Sequence, residues 1–157
     1  MDRIPPALLR FFERDVPIYT HLAAGVPGAV PFACRGYGFR LKDPAQGPLC
    51  IAIMKSQMIR LQEHIETNPM VAALMTSGKD NESYQIKGRF LGFRAPEPED
   101  RRGIERQIES TAQWVPSLVE IIQAQPRDCV VIEMSVDAVY VQSPGSGAGR
   151  PLAEGGA

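Results

Sequence analysis

A chain of 157 residues, 44% hydrophobic and 22% charged, has the make-up of one globular domain with a sizeable core. Its 17 basic and 18 acidic residues leave a net charge of -1, so it carries no electrostatic footprint for nucleic acid or an anionic membrane. No apolar run approaches a membrane span, and "MDRIPPALLRFFERD" lacks a signal-peptide core.

The three cysteines, Cys34, Cys50 and Cys129, lie far apart, each in an apolar run. They are expected as buried reduced thiols in a cytoplasmic protein. Two histidines, His21 and His64, are too few for a histidine-rich metal site, and no metal is expected.

Leu8, Leu9, Phe11 and Phe12, behind Pro5 and Pro6, predict a short N-terminal helix. "IYTHLA" (18–23) reads as a strand closed by the turn "GVPG". "AVPFACRGYGFRL" follows as a strand broken by Gly36 and Gly38. The turn "DPAQGP" leads into the apolar strand "LCIAIM". After it, Met58, Leu61 and Ile65 recur at helical spacing, and Pro69 forces Asn68 out of helical geometry.

"MVAALMT" (70–76) is a second buried strand, joined by "SGKDN" to the alternating run "ESYQIKGRFLGFR". Tyr84, Ile86 and Phe90 share one side, but Leu91 and Phe93 fall on the other. That parity switch requires a bulge or bend, which Gly88 and Gly92 can supply. Bent strands of this kind suit a closing barrel.

Residues 97–124 read as helix with Ile104, Ile108, Val115, Leu118 and Ile122 as the buried stripe, divided at Pro116. Trp114, beside that break, is expected as a core anchor. "CVVIEMSVDAVYV" reads as one long final strand with Val130, Ile132, Met134, Val136, Ala138 and Tyr140 on one face. Residues 143–157 form a Gly/Pro-rich tail expected to be flexible, which leaves 1–142 as a single domain. Short turns between most strands make the sheet mainly antiparallel, and six such strands avoid open edges by closing. The expected class is mainly β with flanking helices (α+β), a six-stranded antiparallel barrel.

At the corner "IAIMKSQMIRL" a buried strand gives way to a helix at Lys55 and Ser56. A helix start leaves N–H groups unpartnered and carries partial positive charge, so this corner could hold an anion. The plainer alternative is that Ser56 caps the helix and Lys55 is solvated.

The order of these elements, with "TNPMVAALM" and "SYQIKGRF" as the most specific pieces, resembles the pyridoxamine 5'-phosphate oxidase-like family of FMN-binding split β-barrels. The resemblance covers roughly residues 18–142. It implies a homodimer with the cofactor, FMN, in the cleft between subunits. It places the FMN phosphate at Lys55, Ser56 and Gln57. The flavin ring would lie along the second and third strands, near Arg35, Gly36, Tyr37 and Ile53, where glycines would let a flat ring approach the backbone. Gln85 and Lys87 would offer polar side chains from the fifth strand.

The resemblance implies a flavin-dependent oxidoreductase acting on a small substrate. The same barrel could instead serve as a non-catalytic module for a flavin, a haem or another planar ligand. One lysine at the corner and a single arginine, Arg150, in the tail argue against oxidation of pyridoxamine phosphate itself. No general acid or base stands out, since flavin carries that chemistry.

Overall fold

The computed structural model describes residues 4–154. In chain order the elements are α1 (Pro6–Phe12), β1 (Ile18–Ala24), β2 (Phe32–Leu41), β3 (Leu49–Met54), α2 (Lys55–Ile65), β4 (Met70–Ser77) and β5 (Ser83–Arg94). α3 (Pro98–Trp114), α4 (Val119–Ile122), β6 (Cys129–Met134), β7 (Ala138–Val141) and β8 (Pro151–Glu154) follow. The strands form one sheet in the order β4-β1-β2-β3-β6-β5-β7-β8, and pairing of β4 with β5 closes the first six into a barrel. All of these pairings are antiparallel. The expected six-stranded barrel with flanking helices is present, extended by two strands.

Alternation decides which side chains fill the barrel. Leu22, Ile51, Ile53, Met75, Ile86 and Ile132 are fully buried in its core. α1 adds Leu8 and Phe11 to the same core, and the Phe11 ring meets Tyr84 edge-on at 5.0 Å. α2 contributes Leu61 and Ile65, as the spacing predicts, with Met58 half-buried beside them. A second, smaller core lies outside the barrel wall. There Ile104 of α3 packs with Cys50 and Ala52 of β3 and Cys129 and Val131 of β6.

Both predicted breaks in strand regularity occur. β2 shifts register against β3 between Gly36 and Gly38, and β5 shifts against β6 between Phe90 and Gly92. The second shift carries out the parity switch seen in the sequence.

Three expectations need correction. The long final strand is two strands. Phe90 pairs with Met134 but Lys87 pairs with Ala138, so β6–β7 spends one residue more than β5 across the join. That extra residue reverses the side-chain faces. Val136 stays buried, but beyond it Val139 points inward, while Ala138 and Tyr140 are only half-buried.

Trp114 is not a core anchor. It is 40% exposed, its indole N–H donates to the Asp15 carbonyl at 3.0 Å, and Lys79 Nζ stands 4.1 Å from its ring centroid. The segment expected as a flexible tail returns to the sheet. Gly149 N–H donates to the Val141 carbonyl at 2.8 Å, and Ala153 of β8 pairs with Val139 of β7. Residues 155–157 of that segment lie outside the described residues.

Candidate functional site

The nine residues singled out in the sequence fall on two parts of the barrel wall. Arg35, Gly36 and Tyr37 lie on β2, Ile53 near the end of β3, and Lys55, Ser56 and Gln57 open α2. These seven form one corner, because Gly36 is the register partner of Ile53 and α2 follows β3 without a loop. Gln85 and Lys87 lie on β5, which is reached from β2 through β1 and β4. Three strand steps correspond to about 14 Å along the wall. Among the described residues no hydrogen bond, ion pair or ring contact joins the corner to Gln85 or Lys87.

At the corner, α2 begins without a side-chain cap. Its N-cap residue is Met54, and no side chain accepts from the first-turn N–H groups. Ser56 is therefore inside the helix rather than at its cap, and its exposed hydroxyl has no hydrogen-bond partner among the described residues. Lys55 is exposed and donates to the Arg127 carbonyl at 2.7 Å. An ammonium has three donors, so two remain. Uncapped N–H groups, a free hydroxyl and an ammonium at one helix start are the elements of an anion site.

The rest of the expected site fits a flat ring less well. Ile53 is fully buried and points into the barrel, so only its backbone is available. The outward residues Cys50 and Ala52 of β3 are covered in the smaller core shared with α3. That cover leaves little of the outer face of β3 open to a ring. The glycines also have partners within the chain. A Cβ at Gly36 would stand 2.8 Å from Ile51 Cγ2, and one at Gly38 would stand 2.7 Å from the Ile104 backbone nitrogen. Close packing inside the chain is enough to require glycine at both positions. What stays open near the corner is the exposed Arg35, while Tyr37 is half-buried and packed against the smaller core.

The register extends Arg35 and the β5 pair into rows across the outer wall. Arg35 faces His21, His21 faces Leu74, Leu74 faces Gln85 and Gln85 faces Tyr140. The neighbouring row runs Ala33, Ala23, Ala72, Lys87 and Ala138. Leu74 and Met70 on this wall are about two-fifths exposed. Lys87 Nζ lies 4.5 Å from the Tyr140 ring centroid, a cation–π contact. Sequence reading placed Gln85 and Lys87 in register but missed His21, Leu74 and Tyr140. Their period-2 spacing could have revealed them only once the strand order was known.

Arg40 has a structural role. Its Nε donates to Asp100 at 2.7 Å and its NH2 to Glu97 at 2.6 Å. Arg94 also pairs with Asp100 and reaches Glu133 at 2.6 Å. Asp100, 5% exposed, completes a capping box with Glu97 and ties the start of α3 to β2 and β5, and through Arg94 to β6. Burial pushes the Asp100 carboxyl up, but hydrogen bonds from Arg94, Arg40 and the Glu97 N–H overcome it and hold it below its ordinary range. Burial pushes the Cys34 thiol up to about 11, and also raises those of Cys50 and Cys129. All three cysteines are free, Cys34 only half-buried, and none is primed as a thiolate. Among the described residues no cluster of His, Cys, Asp or Glu could hold a metal ion.

No protein-family model and no curated protein matches the sequence. Solved structures do match. A candidate pyridoxamine 5'-phosphate oxidase from Lactobacillus delbrueckii is 10% identical, with 89% of this chain and 95% of that one covered and a TM-score of 0.53. A pyridoxamine 5'-phosphate oxidase-related, FMN-binding protein from Nostoc punctiforme is 11% identical, with 83% and 75% covered and a TM-score of 0.46. HutZ, a haem storage protein from Vibrio cholerae, is 15% identical, with 88% and 94% covered and a TM-score of 0.45. The chain is thus a closed antiparallel barrel with helices packed on its wall. Its fold is that of the pyridoxamine 5'-phosphate oxidase-like split barrels.

Proposed function

We propose that this chain binds FMN, with the phosphate at the start of α2, and works as a flavin-dependent oxidoreductase on a small substrate. The observation that carries this reading is the uncapped start of α2 beside the free Ser56 hydroxyl and the Lys55 ammonium. Those groups fit a phosphate. Arg35 is the open side chain nearest that corner, with half-buried Tyr37 close by, and in this reading they bound the ring. Bound flavin would supply the electron transfer itself. The chain's own groups hold the phosphate, orient the ring and exclude water from one side.

The reading includes a homodimer. Gln85 and Lys87 are not joined to the corner within one chain, but they lie on the wall that also carries exposed Leu74 and Met70. Pairing two such walls would bring the β5 residues of one copy to the corner of the other. Light scattering at micromolar concentration tests it, and a persistent monomer would remove the shared cleft.

A second reading keeps the barrel and drops the catalysis: a module holding a flavin, a haem or another planar ligand. The cover of α3 over β3 bears on both readings alike, because it narrows the bed for any planar ligand. No described helix is long and apolar enough to cross a membrane. An absorbance scan of purified protein separates the readings. Yellow colour that bleaches with a nicotinamide donor supports the oxidoreductase, and a Soret band supports haem. Protein that stays colourless with added FMN supports neither flavin reading.

A further inference from the structure

A cavity of about 370 Å³ lies on the other half of β2, between α1 and α3. Phe39 and Arg40 border it, so it begins four residues beyond Arg35, about 13 Å along the strand from the corner. Its floor is apolar: Phe12 and Phe39 meet there with ring centroids 4.9 Å apart, beside Val16 and Ile18. That volume falls at the small end of ligand sites.

The α3 side of the cavity is polar, and two of its groups are left without partners. Gln107 Oε1 accepts from the Ile18 backbone N–H at 3.1 Å. Only an oxygen can accept there, so the amide is fixed and its N–H groups are the free end. Ser110 is 3% exposed, and its hydroxyl has no hydrogen-bond partner among the described residues. Both groups open onto the cavity and neither is committed to another group among the described residues, so each is a donor available to a ligand there.

The charges around the cavity are unequal in their commitments. Arg14 is held by Asp80 and Glu82, Arg40 by Asp100 and Glu97, and Arg102 by Glu99. Arg106 donates only to the backbone carbonyls of Glu13 and Arg14, at 3.3 and 3.0 Å. Its side chain is exposed, so water solvates its charge, and no carboxylate among the described residues is paired with it. The one carboxylate of the lining outside these pairs is the exposed Glu13.

We propose that this cavity binds a small monocarboxylate with an aromatic or branched apolar body. The body lies against Phe12 and Phe39, and the carboxylate accepts from Arg106 and the Gln107 amide. The proposal is independent of the flavin reading, because the cavity shares no residue with the corner.

The probe is 3-phenylpropionate, titrated by calorimetry and by NMR, with 3-phenylpropanol as the uncharged control. The acid should bind wild type and move the Gln107 side-chain amide resonances. Arg106→Gln should weaken the acid by about tenfold to a hundredfold, the loss of a charge-assisted hydrogen bond, and leave the alcohol nearly unchanged. Leu9→Trp, which fills the cavity from the half-buried side of α1, should abolish both without lowering the melting temperature. Added FMN should leave all these values alone. Failure of the acid to bind wild type at millimolar concentration overturns the proposal. Equal affinity in wild type and Arg106→Gln, or shifts confined to residues outside the cavity, does the same.

Discussion

Gly88 and Ser135 are packed backbone against backbone: a Cβ on residue 88 would stand 1.8 Å from the Ser135 carbonyl oxygen. The Arg89 N–H donates to Ser135 Oγ at 2.8 Å, and the Ser135 N–H donates to the Arg89 carbonyl at 2.9 Å. This is where β6 ends and the chain shifts face before β7.

Gly88→Ala should therefore destabilise the barrel by at least the 1–3 kcal/mol typical of overpacking, or about that amount if Ser135 shifts. Gly92 is the control, since a Cβ there meets nothing within 4 Å. Gly92→Ala should stay within about 1 kcal/mol of wild type. Urea midpoints for the two variants check this, and equal midpoints would contradict the close approach.

Asp100→Asn should cost about 3 kcal/mol, because it leaves Arg40 and Arg94 facing a neutral group at a nearly buried site. The folded carboxyl lies below its ordinary value, so its contribution is present above the unfolded pKa, about 3.9. It is lost as pH falls through the folded value. The stability gap between wild type and Asp100→Asn should be constant near neutrality and shrink on acidification below about pH 4. A gap that widens in acid would reverse the assignment.

His64 joins α2 to the 26–31 loop, with Nδ1 2.9 Å from the Arg60 carbonyl and Nε2 3.0 Å from the Val30 carbonyl. A neutral ring donates to one of these, an imidazolium to both. The Arg60 carbonyl first, then that of Val30, raises the pKa. The tether is fully present below the unfolded value, about 6.5, and is lost as pH rises through the higher folded value. Hydrogen exchange of the 26–31 amides, corrected for intrinsic rate, should speed up between about pH 6 and pH 8. His64→Ala should exchange fast at both.

At the proposed phosphate site, Lys55→Ala should weaken FMN by about tenfold to a hundredfold and leave riboflavin unchanged. Ser56→Ala should lower FMN affinity while costing under about 0.5 kcal/mol of stability, since Ser56 is not the cap. Quenching of flavin fluorescence measures affinity, and thermal melts measure stability. Equal loss of FMN and riboflavin in Lys55→Ala would move the phosphate elsewhere.

Much of the fold was legible because period and punctuation agree in this chain. "LCIAIM" between a Pro-rich turn and a helical repeat reads as β3, and the Phe90/Leu91 parity switch announces the bulge that the register records. The final strand misled because Ser135 and Asp137 do not break an alternating pattern on paper. Their backbone N–H groups bond to Arg89 and Lys87, and that change of partner cannot be seen in a window of sequence. The corner of Lys55 and Ser56 was found correctly as a strand-to-helix junction. The cover of β3 by Ile104 was not, since an apolar stripe on a helix does not say which wall it packs against. Gln107 and Ser110 were missed for the same reason: a polar residue on a helix reads as solvated until the neighbouring helix is in place.

The pairing of Leu49 with Met134 sets an order of events for assembly. Everything through β5 can meet its neighbours while the chain is still short, giving five strands with β3 at one end and β5 at the other. β6 completes the ring, and the whole of α3 and α4 must be laid down before it arrives. Until then the unpaired backbone of β3 carries Cys50, Ile51, Ala52 and Ile53 bare to solvent, a short sticky stretch with no charge. A chain stalled or cut within α3 would present that stretch to other copies of itself. Its aggregates should form by strand addition at β3, and a peptide copied from β6 should suppress them.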